Sequence, residues 1–305
     1  MFLIKPNKNV LIGCLCALGC EIIFGFSFLF TKDATATVSV FALLGWRFLV
    51  AFIAMTIFAS AGLMKVKLKG KKLKPLFIVA LLSPVIYYIG ETFGIGFTTA
   101  SESGTFLACI PVASLFASTL ILKEKPTRMQ IAGISVTLAG AIVTVFAVGS
   151  TASFSVIGYL MLCIAVVSYA LYSVLVEKAV DYTGAEITYV MLAAGAVFFV
   201  IAAVAEALFK GSIASLVSLP FAEPGFLIAV LYLGIGCSVF AFFMSNVAIS
   251  TIGVNRTASF IGVTTVVSIM AGILILHEPF TKLQIIGAII IICGVYIANS
   301  KNPTH

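Results

Sequence analysis

Three ionisable side chains, Glu21, Arg47 and Glu91, interrupt long apolar runs of this sequence. If those runs span a membrane, each such group costs about 2.5–3.5 kcal/mol on insertion scales and should face a partner or a wet cavity. The functional interpretation is a binding site for an amino or cationic group, or a proton-carrying carboxylate. The alternative is a buried strut in which Arg47 pairs with one acid. The strut is favoured for Arg47, substrate or proton contact for Glu91, and neither for Glu21.

Aromatic residues accompany both acids. Tyr87 and Tyr88 lie four and three residues before Glu91, on the same face of a helix. A carboxylate flanked by phenols suits an ammonium group, through ion pairing and cation–π attraction. Phe24 shares a helical face with Glu21, although core packing or lipid contact is the commoner role of an aromatic residue here.

Cysteine and histidine usage argues against a metal site and against an enzyme. Cys14, Cys16 and Cys20 are not accompanied by a cluster with ligand spacing, so we expect them to pack in helices. The two histidines, His277 and His305, do not form a serine–histidine or zinc arrangement. The sequence also has no phosphate-binding loop of the Walker type. We therefore expect no catalytic residue, no metal and no cofactor.

Composition places the chain in a membrane. Its 305 residues are 62% hydrophobic and 10% charged, with a mean hydropathy of +1.22, whereas soluble domains have about 25% charged residues. The apolar run from Val10 continues for about 20 residues without a cleavage site, so it is predicted to be a retained helix rather than a signal peptide. The net charge of +7 is attributed to short loops that set orientation, not to nucleic-acid binding.

The runs predict an all-α integral membrane protein with ten helices. Their approximate bounds are 10–30, 38–61, 75–97, 101–122, 127–148, 154–176, 185–209, 224–248, 254–276 and 280–298. With the N-terminus inside, 14 lysines and arginines face the cytoplasm and 3 face out, which predicts a multi-pass protein of the cell membrane with both termini cytoplasmic.

An internal repeat divides the chain. A shift of 154 residues aligns Glu278 with Glu124 and Gly294 with Gly140, and about 13 of the 44 positions from Ala100 to Val143 are identical. Each unit then has five helices. The first unit comprises residues 1–150 and the second comprises residues 151–305. Because five is odd, the second unit enters the membrane inverted, as in many secondary transporters.

The same shift draws attention to two further residues. Asn246, one position past the counterpart of Glu91 (91 + 154 = 245), is polar in an apolar run and should face the cavity or a neighbouring helix. Pro111 should kink helix four and expose a carbonyl, which makes it a candidate structural or gating residue. Glu124 and Glu278 are expected to cap helices five and ten.

Several short motifs appear in a recognisable order along the whole chain. They are Gly25-Phe26-Ser27-Phe28 with Lys32, Arg47-Phe48-Leu49-Val50-Ala51, Thr98-Thr99-Ala100-Ser101, Pro111, and the Glu124 and Glu278 loops. In this order they resemble the EamA branch of the drug/metabolite transporter superfamily, whose members are ten-helix carriers. Two positions depart from the pattern. Phe24 stands where a tryptophan is usual, and Tyr169 is at its counterpart position in helix six. Thr265 replaces the proline expected in helix nine. The resemblance implies that Phe24 and Tyr169 line the cavity, and that Thr265 stiffens one half of a gate.

The sequence therefore predicts a secondary transporter that moves a small polar metabolite by alternating access, without nucleotide. The predicted substrate-binding set comprises Glu21, Phe24, Tyr87, Tyr88, Glu91, Tyr169 and Asn246, and its carboxylate and phenols favour an amino acid or another amine-bearing solute. Proton coupling is a separate expectation, as is a monomer or weak dimer in the lipid bilayer. The alternatives are a receptor or channel, which the inverted repeat disfavours, and an intramembrane enzyme.

Overall fold

The computed structural model describes residues 8–123, 125–148, 155–277 and 281–299, and every regular element in these ranges is helical. Fifteen α-helices and two π-helical segments follow in chain order: α1 Lys8–Thr37, α2 Val40–Ser60, α3 Lys74–Ala80, π1 Leu81–Ile86, α4 Tyr87–Phe97, α5 Ala100–Leu107, α6 Ile110–Ile121, α7 Arg128–Val148, α8 Val156–Lys178, α9 Gly184–Phe209, α10 Ile213–Ala222, α11 Pro224–Leu231, π2 Tyr232–Ala241, α12 Phe242–Ile252, α13 Val254–Ala258, α14 Ile261–Leu274 and α15 Lys282–Asn299.

Seven stretches are long and apolar enough to cross a membrane. They are Asn9–Thr37, Val40–Ser60, Lys74–Phe97, Val156–Lys178, Gly184–Phe209, Pro224–Ile252 and Val254–Leu274. At 1.5 Å per residue, about 20 residues cover the hydrocarbon core, so each of these stretches suffices. The predicted all-helical class is confirmed for the described residues, while the number of ten spans stays a prediction.

Two predicted helices are each divided into two. The helix expected over 101–122 is α5 and α6, and Pro111 lies in the first turn of α6, where its missing N–H leaves no intrahelical bond unmade. The helix expected over 254–276 is α13 and α14, which are separated at Ser259 and Phe260. Thr265 stands where a proline was expected in that helix, yet the chain still breaks. The break lies before Thr265, which is itself inside α14, so the stiffening expected from Thr265 stays a prediction.

Both the third and the eighth predicted helices contain a π-helical segment, which the apolar pattern did not indicate. In π1 the backbone leaves helical angles at Ser83, next to Pro84, which cannot donate to the helical ladder. The second segment, π2, lacks a proline. A shift of 154 residues carries π1 onto positions 235–240, inside π2. The predicted connection over 210–223 also proves to contain a helix, α10.

Helix starts are fixed by reciprocal side-chain caps. A threonine hydroxyl accepts from the backbone N–H three residues later, and the acid or amide there accepts from the threonine N–H. The pairs are Thr99–Glu102, Thr127–Gln130 and Thr183–Glu186. The caps expected from Glu124 and Glu278 lie outside the described residues. At the start of α7, the described cap comes from Thr127 and Gln130.

Helices α7 and α15 pack against each other along a glycine-lined crossing. A Cβ placed on Gly140 would lie 2.8 Å from the Gly287 oxygen, and one placed on Gly294 would lie 2.7 Å from the Gly133 oxygen. Because the higher number on α7 meets the lower number on α15, the two helices run antiparallel. A side chain at either position would therefore push the helices apart.

The same antiparallel relation holds for other helix pairs around the centre. A Cβ on Gly13 would lie 2.6 Å from Ile252 Cγ2, so the start of α1 faces the end of α12. A Cβ on Gly158 would lie 2.8 Å from Thr98 Cγ2, so the start of α8 faces the end of α4. These close approaches bring α1, α4, α8 and α12 together.

The outer surface of the bundle is apolar. Large exposed hydrophobic side chains project from most of the long helices: Leu15, Ile53, Ile57, Phe77, Phe116, Leu120, Val167, Val197, Ile201, Ile228 and Ile289. In water such a continuous apolar surface would be unfavourable, whereas lipid tails solvate it. The buried polar side chains are instead directed inward, where the candidate site lies.

Candidate functional site

A small cavity lies among α1, α4, α8, α12 and α14. Its lining residues are Glu21, Phe24, Phe28, Ser83, Tyr87, Tyr88, Glu91, Leu107, Ile110, Tyr169, Tyr172, Phe242, Ser245, Ile261 and Thr264. The space open to the centre of a water molecule is about 30 Å³, enough for about two waters. Six of the seven residues predicted to bind substrate share this lining, and Asn246 does not.

Glu91 is a buried carboxylate with a phenol as its neighbour. Its side chain lies on α4 with 5% of its surface exposed. The Tyr87 hydroxyl, one turn earlier, donates to Glu91 Oε1 at 2.8 Å. The ion pairs found in the described residues, Lys71–Glu186 and Lys210–Glu206, do not include Glu91. Among the described residues Glu91 therefore has no direct ion-pair partner, although the charge of Arg47 acts on it electrostatically.

Glu21 is held differently, across two helices distant in sequence. The Thr264 hydroxyl of α14 lies 2.5 Å from Glu21 Oε2 and 2.7 Å from the Glu21 backbone oxygen. The Cys20 thiol lies 3.7 Å from the other carboxyl oxygen. Glu21 therefore joins α1 to α14, whereas the hydrogen bond to Glu91 stays within one helix.

Arg47 is buried behind the cavity rather than on its wall. Its Nη2 donates to the Tyr88 hydroxyl and its Nε donates to Ser238 Oγ, each at 2.9 Å. Its guanidinium carbon also lies 4.1 Å from the centre of the Tyr88 ring. Within the part of the chain that is described, the direct bonds of Arg47 go to a phenol and a hydroxyl rather than to an acid. The positive charge of Arg47 nevertheless acts on Glu91 electrostatically, so the predicted strut is not a direct ion pair.

Aromatic rings form much of the remaining wall. The ring centres of Tyr87 and Tyr169 are 5.7 Å apart, and those of Tyr169 and Tyr172 are 5.4 Å apart. Tyr88 and Phe242 stand 5.7 Å apart, with Phe24 at 6.2 Å from Phe242. Aromatic faces attract cations, so this wall would favour a positively charged ligand, as the acids of the cavity would.

Asn246 lies next to the cavity residue Ser245 but points between helices. Its side-chain oxygen accepts from the Tyr172 hydroxyl at 2.6 Å, and its Nδ2 donates to Thr188 Oγ1 at 2.9 Å. These bonds hold Tyr172, which does line the cavity. Of the two orientations expected for Asn246, the structure shows the second: its side chain faces a neighbouring helix rather than the cavity.

Lys32 orders one end of the site. Its Nζ lies 3.2 Å from the backbone oxygens of Ile95 and Gly96, and it also bonds the Thr98 oxygen. These carbonyls end α4, where a cation is favoured by the helix dipole. The contact ties α1, which carries Glu21, to α4, which carries Glu91.

Sequence reasoning did not select several lining residues, of which the repeat relates four to first-half lining residues, although only Tyr88 and Glu91 among the latter had been predicted. Adding 154 to Tyr88, Glu91, Leu107 and Ile110 gives Phe242, Ser245, Ile261 and Thr264, and all eight line the cavity. The repeat had been used only to pass from Glu91 to Ser245. Ser83 could not have been found this way, because it depends on the distorted backbone of π1.

Comparison with known proteins agrees with this arrangement. A model of the EamA-like transporter family matches residues 11–146 and again residues 156–300. "Uncharacterized transporter YcxC" of Bacillus subtilis is 32% identical over 280 residues, covering 91% of this chain and 89% of that protein. "Probable terminal-alkyne amino-acid exporter" of Streptantibioticus cattleyicolor is 25% identical over 202 residues, covering 66% and 65%.

A solved crystal structure of a protein shares the fold. It has a TM-score of 0.72 and covers 96% of each chain at 19% identity. Together with seven helices suited to a membrane, these matches establish a multi-pass membrane transporter. The chain belongs to the EamA-like transporter family.

Proposed function

We propose that this protein is a secondary transporter that carries a small polar, amine-bearing solute across the cell membrane by alternating access. The observation that carries the proposal is the Glu91 carboxylate, bonded by the Tyr87 phenol and lining a cavity walled by aromatic rings. An unpaired acid in a membrane-spanning helix is costly, and a bound ammonium group would offset that cost. The name of the Streptantibioticus relative, an amino-acid exporter, supports a solute with an amino group.

The proposed architecture is ten spans in two inverted units, residues 1–150 and 151–305. Three observations support it. The family model matches the chain twice. The crossing of α7 and α15 is antiparallel, and its glycines are exchanged by the repeat (133 + 154 = 287; 140 + 154 = 294). Lys123 and His277, also 154 apart, both have positive φ values, of 59° and 55°.

Alternating access follows from where the cavity lies and how small it is. Matching positions of both units line it, so it would sit on the axis that relates them, where carriers of inverted-repeat design bind substrate. Its free volume of about 30 Å³ is too small for an amino acid. Loading would therefore require the units to rock apart, first toward one side of the membrane and then toward the other.

Proton coupling is proposed from the contacts of Glu21. Thr264 has one hydroxyl hydrogen, yet its oxygen lies within hydrogen-bond distance of both the Glu21 backbone oxygen and Oε2. The backbone oxygen can only accept, so the threonine hydrogen serves that bond. The second contact then needs a hydrogen from the carboxyl group. Glu21 would carry this proton and release it when the contact with α14 opens.

The proposed orientation has both termini in the cytoplasm. It places the lysine-rich segment over residues 65–74 on the inner side, in keeping with the bias of basic residues toward cytoplasmic loops. That segment is anchored, since Lys71 Nζ donates to Glu186 Oε2 at 2.7 Å.

The proposal is tested by ligand screening followed by transport. Purified wild-type protein is screened by thermal shift against amines, amino acids, sugars and organic acids, and the best ligand is assayed in proteoliposomes. We expect amine-bearing compounds to stabilise the protein, counterflow to be saturable, and uptake to respond to an imposed pH gradient. Stabilisation by sugars or organic acids alone would refute the amine site. Counterflow that ignores the pH gradient would refute proton coupling alone.

A further inference from the structure

The cavity lining is asymmetric in charge. Two acidic side chains face it, Glu91 as the proposed carboxylate and Glu21 in the protonated form proposed above, and no lining residue in the described part of the chain is a lysine, arginine or histidine. An amino acid brings both an ammonium and a carboxylate into such a site. The substrate ammonium finds partners in the lining, whereas the substrate carboxylate meets a group of like charge.

The basic side chains that contact the helices of the cavity, Arg47 and Lys32, are already engaged elsewhere. Arg47 donates to the Tyr88 hydroxyl and to Ser238 Oγ, with the Tyr88 side chain between it and the cavity. Lys32 is bonded to the backbone oxygens at the end of α4. Reaching a substrate carboxylate would require either one to give up its hydrogen bonds, which are buried for Arg47, and this is unfavourable.

The polar neutral groups of the lining do not replace a base. The Thr264 hydroxyl is committed to Glu21, and the Ser245 hydroxyl lies 3.5 Å from the Tyr169 hydroxyl. Phenols of Tyr87 and Tyr88 are bonded to Glu91 and Arg47. A buried substrate carboxylate would thus find hydroxyl groups, including those of Ser83 and Tyr88, but no base to neutralise its charge.

We infer that the site selects amines that lack a carboxylate, which are monovalent organic cations, over the corresponding amino acids. This inference rests on the proposed function and narrows its substrate class. The ammonium would pair with Glu91, and the rings of Tyr87, Tyr169 and Phe242 would attract the cation through their faces. The discrimination comes from the missing counter-charge, so it should apply whatever the size of the side group.

Matched pairs that differ by one carboxylate test this directly. Binding to the purified wild-type protein is measured by calorimetry at pH 7.5 for ethanolamine and serine, isobutylamine and valine, and 2-phenylethylamine and phenylalanine, with 3-phenylpropanoate as the acid lacking an amine. In any pair that binds, we expect the amine to bind about 100-fold or more tightly than its amino acid. The propanoate should not bind.

A variant adds an independent readout. In Glu91→Gln the preference for the amine over its amino acid should fall to less than about tenfold, because the pairing charge is lost. Glu223→Gln, which removes an exposed acid outside the cavity lining, should retain the wild-type preference. An amino acid that binds wild-type protein as tightly as its amine would overturn this inference and leave the proposed function standing. Absence of binding by both members of all three pairs would overturn both.

Discussion

The two segments that match the family, residues 11–146 and 156–300, repeat the same packing but not the same chemistry. Each has a π-helical segment in its third predicted helix and a divided fourth helix. Each also contributes lining residues at matching positions, such as Tyr88 with Phe242 and Leu107 with Ile261. The repeated features are those that let helices approach, bend and enclose a space.

The carboxyl groups and the guanidinium at the site, in contrast, all belong to the first segment. At the matching positions of the second segment Glu91 becomes Ser245, Arg47 becomes Ile201 (47 + 154), and Glu21 becomes Val166, using the offset of 145 that relates Phe24 to Tyr169. The second segment supplies neutral partners instead. Ser238 accepts from Arg47, and Thr264 contacts Glu21. The repeat thus supplies the frame of the site, and the differences between its two copies place the charged groups in the first copy.

Neutralising Glu91, the first-segment acid proposed to bind the substrate ammonium, should have the largest effect on transport. Glu91→Gln removes the charge that would pair with a substrate ammonium, and losing one partner of a buried charge pair costs about 2 kcal/mol or more. We expect amine uptake in proteoliposomes to fall at least about 30-fold in kcat/KM.

The matching change in the second segment is the control. Ser245 makes a long contact of 3.5 Å with Tyr169, so Ser245→Ala should change kcat/KM by less than about fivefold. Equal losses in Glu91→Gln and Ser245→Ala would contradict the assignment of substrate charge to one segment.

Glu21→Gln should abolish proton-driven accumulation of the substrate while leaving substrate counterflow nearly unchanged. The amide keeps a hydrogen for Thr264 but cannot release a proton, so counterflow should stay within about fivefold of wild type. Accumulation against a concentration gradient, driven by a pH difference, should be abolished. Retention of pH-driven accumulation would show that the coupling proton is carried elsewhere.

Packing at the repeated crossing should respond symmetrically. Gly140→Leu and Gly294→Leu each place a side chain against backbone of the opposing helix, and overpacking of this kind costs about 1–3 kcal/mol. Thermal unfolding in detergent should show similar decreases in Tm for the two variants. Gly225→Ala, where a Cβ would meet no atom within 4 Å, should leave Tm near the wild-type value. A decrease in only one of the two leucine variants would argue against equivalent halves.

The smallest effects concern single phenols. Tyr87→Phe removes the hydrogen bond to Glu91, and bonds to charged groups contribute about 1.5–3 kcal/mol, so KM for an amine should rise about tenfold. Tyr169→Phe loses only the long contact with Ser245, and KM should change by about twofold or less. A larger effect of Tyr169→Phe would place the substrate nearer to α8 than to Glu91.

The sequence predicted the helices and the acids well because both signals are local. Long apolar runs marked the spans, and a charge inside such a run marked Glu21, Arg47 and Glu91. It could not predict the partner of Arg47, since Ser238 and Tyr88 meet it only through packing of distant helices. The break between α13 and α14 was likewise missed, because Thr265 gives no local signal of one. Applying the repeat to every predicted first-half site residue would have recovered Phe242 from Tyr88, but not Thr264, because its counterpart Ile110 is an apolar residue that gave no signal.

The central claim is that two like-folded halves face opposite sides of the membrane, and labelling of two matching positions tests it most directly. The variants Lys123→Cys and His277→Cys are made in a background without native cysteines. Both positions are exposed, and each lies shortly after the end of a helix, α6 for position 123 and α14 for position 277. The account predicts that a membrane-impermeant maleimide added to intact cells labels position 277 and not position 123 until the membrane is opened. Labelling of both positions from the same side would contradict it.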